Sequence, residues 1–304
     1  MPDPVGGGSD VELVFNCFER TIGTITRSTV LEDLALAHGH RFARRTLLVN
    51  NVDEPERWKR DLDRLVERGM VDRWLFVADA LPRALALTGL SPRHLRPREH
   101  WSDFALVAVT LPGPSMVCYC DPEITMPVPG DWITPAVELM RHDHRVAVAN
   151  PRWTPTRAPE EKADERSGEF LLGYGFTDHI FLVRRSELSR PVYRSLVPMA
   201  LRSPASLRYP TALDSGIFEM RVDAYMRTHR RLRATHCTIQ YDHAPPMGSN
   251  YQPRTMAHKL RRLRNHAVVK LLVEARFSAP RLRVRGLMGE VTSPAMLSAE
   301  DRSA

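Results

Sequence analysis

The chain has 304 residues, of which 43% are hydrophobic and 26% charged, and its formal net charge is +7. A chain of this length and composition can bury a substantial core as one large domain or two small ones. Its four cysteines exclude a disulfide-stabilised scaffold, and the longest apolar region, residues 104–120, is interrupted by Pro112, Gly113 and Pro114, which excludes a membrane span there.

The two ends of the chain are expected to be loosely structured. Residues 1–10 hold three glycines and two prolines, which predicts a disordered tip, and residues 286–304 have the pattern of a flexible tail. The N-terminal stretch shows no apolar run after basic residues, so we expect no signal peptide and a cytoplasmic protein.

In the first half of the chain, strand patterns alternate with helix patterns. Short apolar runs predict strands at residues 12–17, 46–51, 73–78 and 116–120. Apolar residues at helical spacing predict helices at residues 21–38, 55–68 and 98–111. Because these strands are apolar without alternation, we expect a Rossmann-type α/β fold, in which a mostly parallel sheet carries helices on both faces.

The second half repeats this pattern more loosely. The same criteria predict helices at residues 132–142, 191–202 and 215–229, and strands at residues 145–149, 178–184 and 231–241. Asp131 or Thr134 is available to cap the first of these helices. Residues 157–168 are polar and charged, which indicates a mobile loop.

Two carboxylates one residue apart follow the fourth predicted strand. In an extended segment, residues i and i+2 project to the same side, so Asp121 and Glu123 are expected to leave the strand end together. Two hard oxygen ligands of this kind suit Mg²⁺ or Mn²⁺. The alternative interpretation is a strand that simply stops in an Asp-Pro turn.

The excess positive charge is concentrated near the C-terminus. Residues 254–285 carry ten Lys or Arg against one acid, Glu274, and a basic helix is predicted at residues 251–285. Such a helix favours phosphates, anionic lipid at the inner face of a membrane, or an acidic partner. A solvated helix face is the alternative interpretation.

The order of these features resembles the GT-A glycosyltransferases, in particular the family 2-like enzymes that use nucleotide-diphospho-sugars. The resemblance covers residues 11–246 and rests on five places: Val14-Phe15-Asn16-Cys17-Phe18-Glu19, Leu48-Val49-Asn50-Asn51-Val52-Asp53, Cys120-Asp121-Pro122-Glu123, residues 215–221 and residues 239–246. The third place stands where the family has Asp-x-Asp, and Glu123 departs from that pattern. The resemblance implies a GT-A-like fold and metal-dependent transfer of a sugar to an acceptor hydroxyl.

The resemblance implies a catalytic domain at residues 11–250, with a nucleotide-binding half at 11–123 and an acceptor half at 124–250. The residues that it implies for the nucleotide lie in the first strand or follow strand ends, and they are Phe15, Asn16, Glu19, Asn51, Asp53, Asp79 and Asp121. From the residue types alone, an acid at the end of a strand equally suits the cap of the following helix.

A metal site and a general base are also implied. The divalent cation, Mn²⁺ or Mg²⁺, would be bound by Asp121, Glu123 and a late histidine, His243. In members of the family that invert the anomeric centre, an acid at the start of a helix serves as the base. The candidates for it are Glu219, then Asp214, with Asp178 as a further alternative. Inversion and retention both stay open.

Two other functions remain open at this point. A sugar nucleotidyltransferase shares the doubly wound plan, but it normally has a glycine-rich loop after its first strand, where this chain has only Gly23. The other is a non-catalytic protein that binds anionic partners through residues 254–285. No specific nucleic acid is expected as a partner.

Overall fold

The computed structural model describes residues 10–95, 99–154, 163–194, 217–243 and Leu260, and within these residues the chain forms one sheet of ten strands. The strands are β1 (Val11–Cys17), β2 (Arg44–Val49), β3 (Arg73–Phe76), β4 (Met116–Cys120), β5 (Ile124–Val128), β6 (Val146–Trp153), β7 (Glu165–Ser167), β8 (Phe170–Gly173), β9 (Ile180–Arg184) and β10 (Leu232–His243). Their order across the sheet is β3-β2-β1-β4-β9-β6-β10-β8-β7, and β5 also pairs with β10.

Eight α-helices connect the strands within the described residues. They are α1 (Glu19–Ile25), α2 (Val30–Ala37), α3 (Pro55–Glu67), α4 (Val77–Thr88), α5 (Asp103–Thr110), α6 (Ile133–His142), α7 (Arg185–Leu188) and α8 (Phe218–Thr228). Helices α1, α2, α3 and α6 pack on the sheet face that carries Leu13 and Phe15, which we call the first face. Helices α4, α5, α7 and α8 pack on the second face, which carries Val14 and Tyr119.

The expected α/β fold, with a mostly parallel sheet and helices on both faces, is confirmed. Seven strands run in one direction, and β5, β8 and β9 run in the opposite direction. Leu13, Val14 and Phe15 are all fully buried, since each face of β1 lies under helices. This double burial explains why the strand sequences are apolar without alternation.

Strand β9 runs antiparallel between β4 and β6, and it brings a distant segment to the end of β4. Ile180, the first residue of β9, pairs with Cys120, the last residue of β4. The residues just before β9 therefore lie beside the residues just after β4, at the edge of the sheet where the parallel strands have their carboxyl ends. We call this edge the carboxyl edge.

Several predicted elements differ from the structure. The helix predicted at residues 21–38 is divided into α1 and α2, and Thr26 at the break donates its hydroxyl to the Ile22 carbonyl. The strand predicted at 73–78 ends at Phe76, because α4 begins at Val77. The helix predicted from Pro191 does not begin there, since the described residues 191–194 form turns. Strands β5, β7 and β8 and helices α4 and α7 had no counterpart in the prediction.

Some predictions fall on parts of the chain outside the described residues. These are the disordered tip (residues 1–10, apart from Asp10), the basic helix (251–285, apart from Leu260) and the flexible tail (286–304). Of the loop predicted at 157–168, residues 163–168 are described, and they include β7, which pairs with β8. Among the described helices, none is both long enough and apolar enough to cross a membrane.

Candidate functional site at the carboxyl edge of the sheet

The predicted nucleotide residues follow four adjacent parallel strands. Asp79 lies in the first turn of α4 after β3, Asn51 and Asp53 follow β2, Glu19 opens α1 after β1, and Asp121 follows β4. Since neighbouring strands lie about 4.8 Å apart, the four strand ends span roughly 14 Å along the carboxyl edge. The topology therefore brings these residues to one side of the sheet, in the order β3-β2-β1-β4.

Asp121 and Glu123 form a tight turn at the end of β4. The backbone N–H of Glu123 donates to Asp121 Oδ1 at 3.0 Å, and the backbone N–H of Ile124 donates to the Asp121 carbonyl at 3.1 Å. This is the Asp-Pro turn of the alternative interpretation, in which an Asp side chain bonds the backbone two residues on. Glu123 is 9% exposed. The structure thus forms this turn, and within it the charge of Glu123 acts on the Asp121 carboxylate.

Residues before β9 add charge to this corner. The Asp121 backbone N–H donates to the His179 carbonyl at 2.7 Å, and His179 Nε2 lies 3.9 Å from Asp178 Oδ1. The pKa of Asp121 is raised to about 6. Burial is the largest cause, and the negative charges of Glu123 and Asp178 add to it, whereas the Glu123 N–H bond and the charge of His179 oppose the rise.

The charges of the same carboxylates also act on the buried hydroxyl of Tyr119. Burial raises its pKa well above the ordinary value, and the charges of Asp121 and Asp178 add to the effect. The three carboxylates of Asp121, Glu123 and Asp178 thus lie close enough to repel one another in a region of low dielectric constant. A bound cation would relieve this repulsion.

The backbone of His243, at the end of β10, also lies near the end of β4. Strand β10 pairs antiparallel with β5, so that His243 lies opposite Ile124 and Asp242 opposite Thr125. The backbone of His243 is therefore beside the residue that follows Glu123, while its side chain lies outside the description. Among the described side chains, no group of three or more His, Cys, Asp or Glu residues is arranged to hold a metal ion.

Glu19 and Asp53 are brought together at the ends of β1 and β2. The Asp53 backbone N–H donates to Glu19 Oε2 at 3.2 Å. Between them, Asn51 has a left-handed backbone with a φ of 47°, a conformation that asparagine tolerates better than most residues. Phe15 is fully buried in the core of the first face, and Asn16 is 8% exposed.

A buried polar network on the second face escaped the sequence analysis. Asn50 Nδ2 donates to Asp103 Oδ1 at 2.8 Å, and Asp103 Oδ2 lies 3.1 Å from His100 Nδ1. Burial raises the pKa of Asp103, although its hydrogen bonds from the Phe104 backbone and His100 oppose the rise. The only signal was an asparagine directly after β2. The partner on α5 depends on helix packing, which residue patterns do not show.

The candidate base Glu219 lies in the first turn of α8. The start of this helix is fixed over α5, because the Phe218 backbone N–H donates to Ser102 Oγ at 2.9 Å. The pKa of Tyr241 is raised to about 12. Burial is the largest cause, the bond to Thr177 and the charge of Arg233 oppose it, and the charges of Asp178 and Glu219 add to it. Both acids are thus within electrostatic reach of one tyrosine, whereas Asp214 lies outside the described residues.

Comparisons with known proteins found similarity only among solved structures. No family model matches the chain, and no curated protein does. Similar structures include GalNAc-T7 with UDP, GalNAc and Mn²⁺ (10% identity, TM-score 0.48, covering 91% of this chain and 52% of that chain). They also include the galactosyltransferase LgtC in complex with donor and acceptor sugar analogs (12% identity, TM-score 0.36, 86% and 95% covered). A third is glucosyl-3-phosphoglycerate synthase from Mycobacterium tuberculosis with Mn²⁺, UDP and glucosyl-3-phosphoglycerate (13% identity, TM-score 0.41, 86% and 78% covered).

These structures are glycosyltransferases of the GT-A fold, the family that the sequence resembles. The chain spans about half the length of GalNAc-T7. Because the TM-scores are below 0.5 and the identities do not exceed 13%, the likeness assigns no activity to this chain, and a functional proposal must rest on its own residues.

Proposed function

We propose that this protein transfers a sugar from a nucleotide-diphospho-sugar to an acceptor hydroxyl, with the help of a divalent cation, Mn²⁺ or Mg²⁺. The observation that carries the proposal is the convergence at the carboxyl edge. Asp121 and Glu123 share one turn, and the pairing of β10 with β5 brings the backbone of His243 beside that turn. Ligands in open α/β sheets bind at this edge, outside the carboxyl ends of the strands.

The residues present fit a divalent cation. Mg²⁺ in nucleotide enzymes is commonly held by one or two carboxylates together with substrate phosphates and water. Asp121 and Glu123 would supply the carboxylates and His243 a nitrogen ligand. Burial raises the pKa of Asp121, and the negative charges of Glu123 and Asp178 add to the rise; a bound cation would relieve that repulsion. When bound, the cation would stabilise the charge that develops on the departing diphosphate.

The nucleotide would lie along the carboxyl edge between β3 and β4. Glu19, Asn51, Asp53 and Asp79 would contact the base and the ribose, and Phe15 and Asn16 would form the strand beneath them. Residues 11–123 would thus form the nucleotide-binding half and residues 124–250 the acceptor half. The basic segment 254–285 would provide any contact with an anionic membrane surface or an acidic partner.

Glu219 would accept the proton of the acceptor hydroxyl if the reaction inverts the anomeric centre. Its position at the start of α8, within electrostatic reach of the residues around Asp178, supports this role. Transfer of that proton in the transition state is worth about 10²–10⁴-fold in rate. Asp214 and Asp178 are the other candidates, and retention would not require the step.

A thermal-shift panel tests the proposal. The wild type is mixed with UDP-, GDP-, dTDP- and CDP-sugars, each with and without Mn²⁺. We expect one nucleotide to raise the melting temperature only when the metal is present. The shift should disappear in Asp121→Asn and persist in the control Glu56→Gln, which removes a carboxylate that is 78% exposed on α3. An Asp121→Asn response equal to that of the wild type would show that the site is misplaced.

A further inference from the structure

A basic cavity lies at the opposite edge of the sheet from Asp121. Its volume is about 520 Å³, and the described residues that line it are Arg190, Pro191, Val192, Arg194, Tyr225, His229 and Arg231. Arg190 lies shortly after α7, which follows the end of β9, and Arg231 directly precedes β10. Arg184 at the end of β9 pairs with Met116 at the start of β4. The cavity and Asp121 are therefore separated by the length of β4, roughly 15 Å.

Positive charge dominates the wall of the cavity. Three arginines line it, and none of its described lining residues is acidic. Beneath the wall, the carboxylate of Glu187 is shared by three arginines. Arg231 Nε lies 3.2 Å from its Oε1, Arg190 lies 3.9 Å from Oε1, and Arg184 lies 3.9 Å from Oε2. Among the described lining residues, positive charge therefore exceeds negative charge, which favours the binding of an anion.

The groups that face the cavity are held in place by one another. Tyr225 donates its hydroxyl to Glu187 Oε1 and accepts a hydrogen bond from Arg190 at 3.2 Å. Arg231 also donates to the carbonyl of His144, which fixes it at the start of β10. Arg194 differs from these residues, because within the described part of the chain its guanidinium has no carboxylate partner. Together with the two pre-positioned guanidinium groups of Arg190 and Arg231, the guanidinium of Arg194 suits a ligand with several anionic oxygens.

We propose that this cavity binds a small phosphorylated molecule, either a diphosphate or a phosphate monoester, independently of any metal. Arginine forks recognise phosphate oxygens through paired N–H donors, which favours phosphate over a monovalent carboxylate. The volume is in the range of about 300–1,000 Å³ that is usual for small-molecule sites. A concave site of this size favours a soluble molecule over a flat lipid surface. The site is separate from the proposed sugar-transfer site and does not depend on it.

Calorimetric titration with inorganic pyrophosphate tests the proposal. The full chain is titrated at physiological ionic strength in the presence of EDTA, which removes metal-dependent binding at the carboxyl edge. We expect saturable binding by the wild type and at least tenfold weaker binding by the double variant Arg190→Gln/Arg194→Gln. The control Arg230→Gln removes a neighbouring exposed charge that does not line the cavity, and it should bind as the wild type does.

Other outcomes would contradict the proposal. They are absence of saturation in the wild type, equal binding by the double variant, or equal weakening by Arg230→Gln. Retention on phosphatidylserine vesicles that the double variant loses, without any pyrophosphate binding, would show that the arginines serve a lipid surface instead. Asp121→Asn separates the two sites, because it should leave pyrophosphate binding unchanged even if it abolishes metal-dependent nucleotide binding.

Discussion

At the scale of single residues, Glu12 is the clearest case of a buried charge matched by its surroundings. Its carboxylate is fully buried and accepts hydrogen bonds from arginines on three other segments and from a threonine. The donors are Arg44, Thr46, Arg73 and Arg185, at 2.6–2.9 Å. Burial alone would raise its pKa, but the bonds from Arg44 and Thr46 and the charges of Arg185 and Arg73 outweigh it, so the pKa is lowered.

Glu12→Gln should therefore destabilise the protein. Removing one partner of a buried ion pair costs on the order of 3 kcal/mol, because the remaining charges stay buried without compensation. Since the pKa of Glu12 is lower in the folded state, its stabilising effect is complete above its ordinary value of 4.5 and is lost as the pH falls further. Urea denaturation at several pH values measures both effects. A variant as stable as Glu56→Gln at pH 7 would contradict this account of Glu12.

Glu219 carries a prediction about rate and not about stability. If it takes the proton of the acceptor, Glu219→Gln should slow sugar transfer by about 10²–10⁴-fold while nucleotide affinity stays unchanged. Steady-state kinetics with the donor identified by the thermal-shift panel measure the rate, and calorimetry measures the affinity. The matched control is Glu165→Gln, which removes an exposed carboxylate on β7 that is paired with Arg145. Normal turnover in Glu219→Gln would remove it as the base.

At the scale of elements, the end of α2 and the start of α6 are joined by two buried aromatic side chains. Trp132 Nε1 donates to His38 Nδ1 at 3.0 Å, and both residues are fully buried. The pKa of His38 is lowered to about 3, with burial as the largest cause and the charge of His40 adding to it, while the charge of Asp131 opposes it. His38 is therefore neutral in the folded protein at pH values where the unfolded chain takes up a proton.

This difference predicts a loss of stability in mild acid. The contribution of His38 is complete above pH 6.5, its ordinary value, and declines as the pH falls toward 3. Each pH unit in this range should remove about 1.4 kcal/mol from the free energy of unfolding. In His38→Gln, where the amide oxygen can still accept from Trp132, that slope should decrease. The control is His142→Gln, which replaces an exposed histidine at the end of α6. If His38→Gln and the wild type lose stability equally with each pH unit, His38 is not the source of the pH dependence.

The helices and strands show where sequence patterns succeed and where they do not. Met116–Cys120 was predicted without error, because a short apolar run between Pro-Gly-Pro and Asp-Pro leaves one choice of boundaries. Helix α4 was missed, since Pro82 lies inside it and its first residues continue the apolar pattern of β3. Helices α1 and α2 were joined, because the hydrophobic spacing continues across the turn at residues 26–29 that separates them.

At the scale of the whole molecule, the parallel part of the sheet was predictable and the antiparallel part was not. Strands buried on both faces are continuously apolar, and a short stretch of sequence is enough to show this. The insertion of β9 between β4 and β6 depends on pairing between segments far apart in the chain, which no local pattern records. For this reason the acidic turn at Asp121 was found from the sequence, whereas its contact with His179 was not.

The central claim, that a divalent cation and a nucleotide diphosphate bind together at Asp121, is tested most directly by their thermodynamic coupling. Calorimetry measures the dissociation constant of the nucleoside diphosphate with and without Mn²⁺, and linkage requires the nucleotide to tighten Mn²⁺ binding by the same factor. We predict a coupling of at least tenfold in the wild type that falls to about one in Asp121→Asn. A nucleotide affinity that is indifferent to Mn²⁺ in the wild type, or a coupling that Asp121→Asn preserves, would contradict the account.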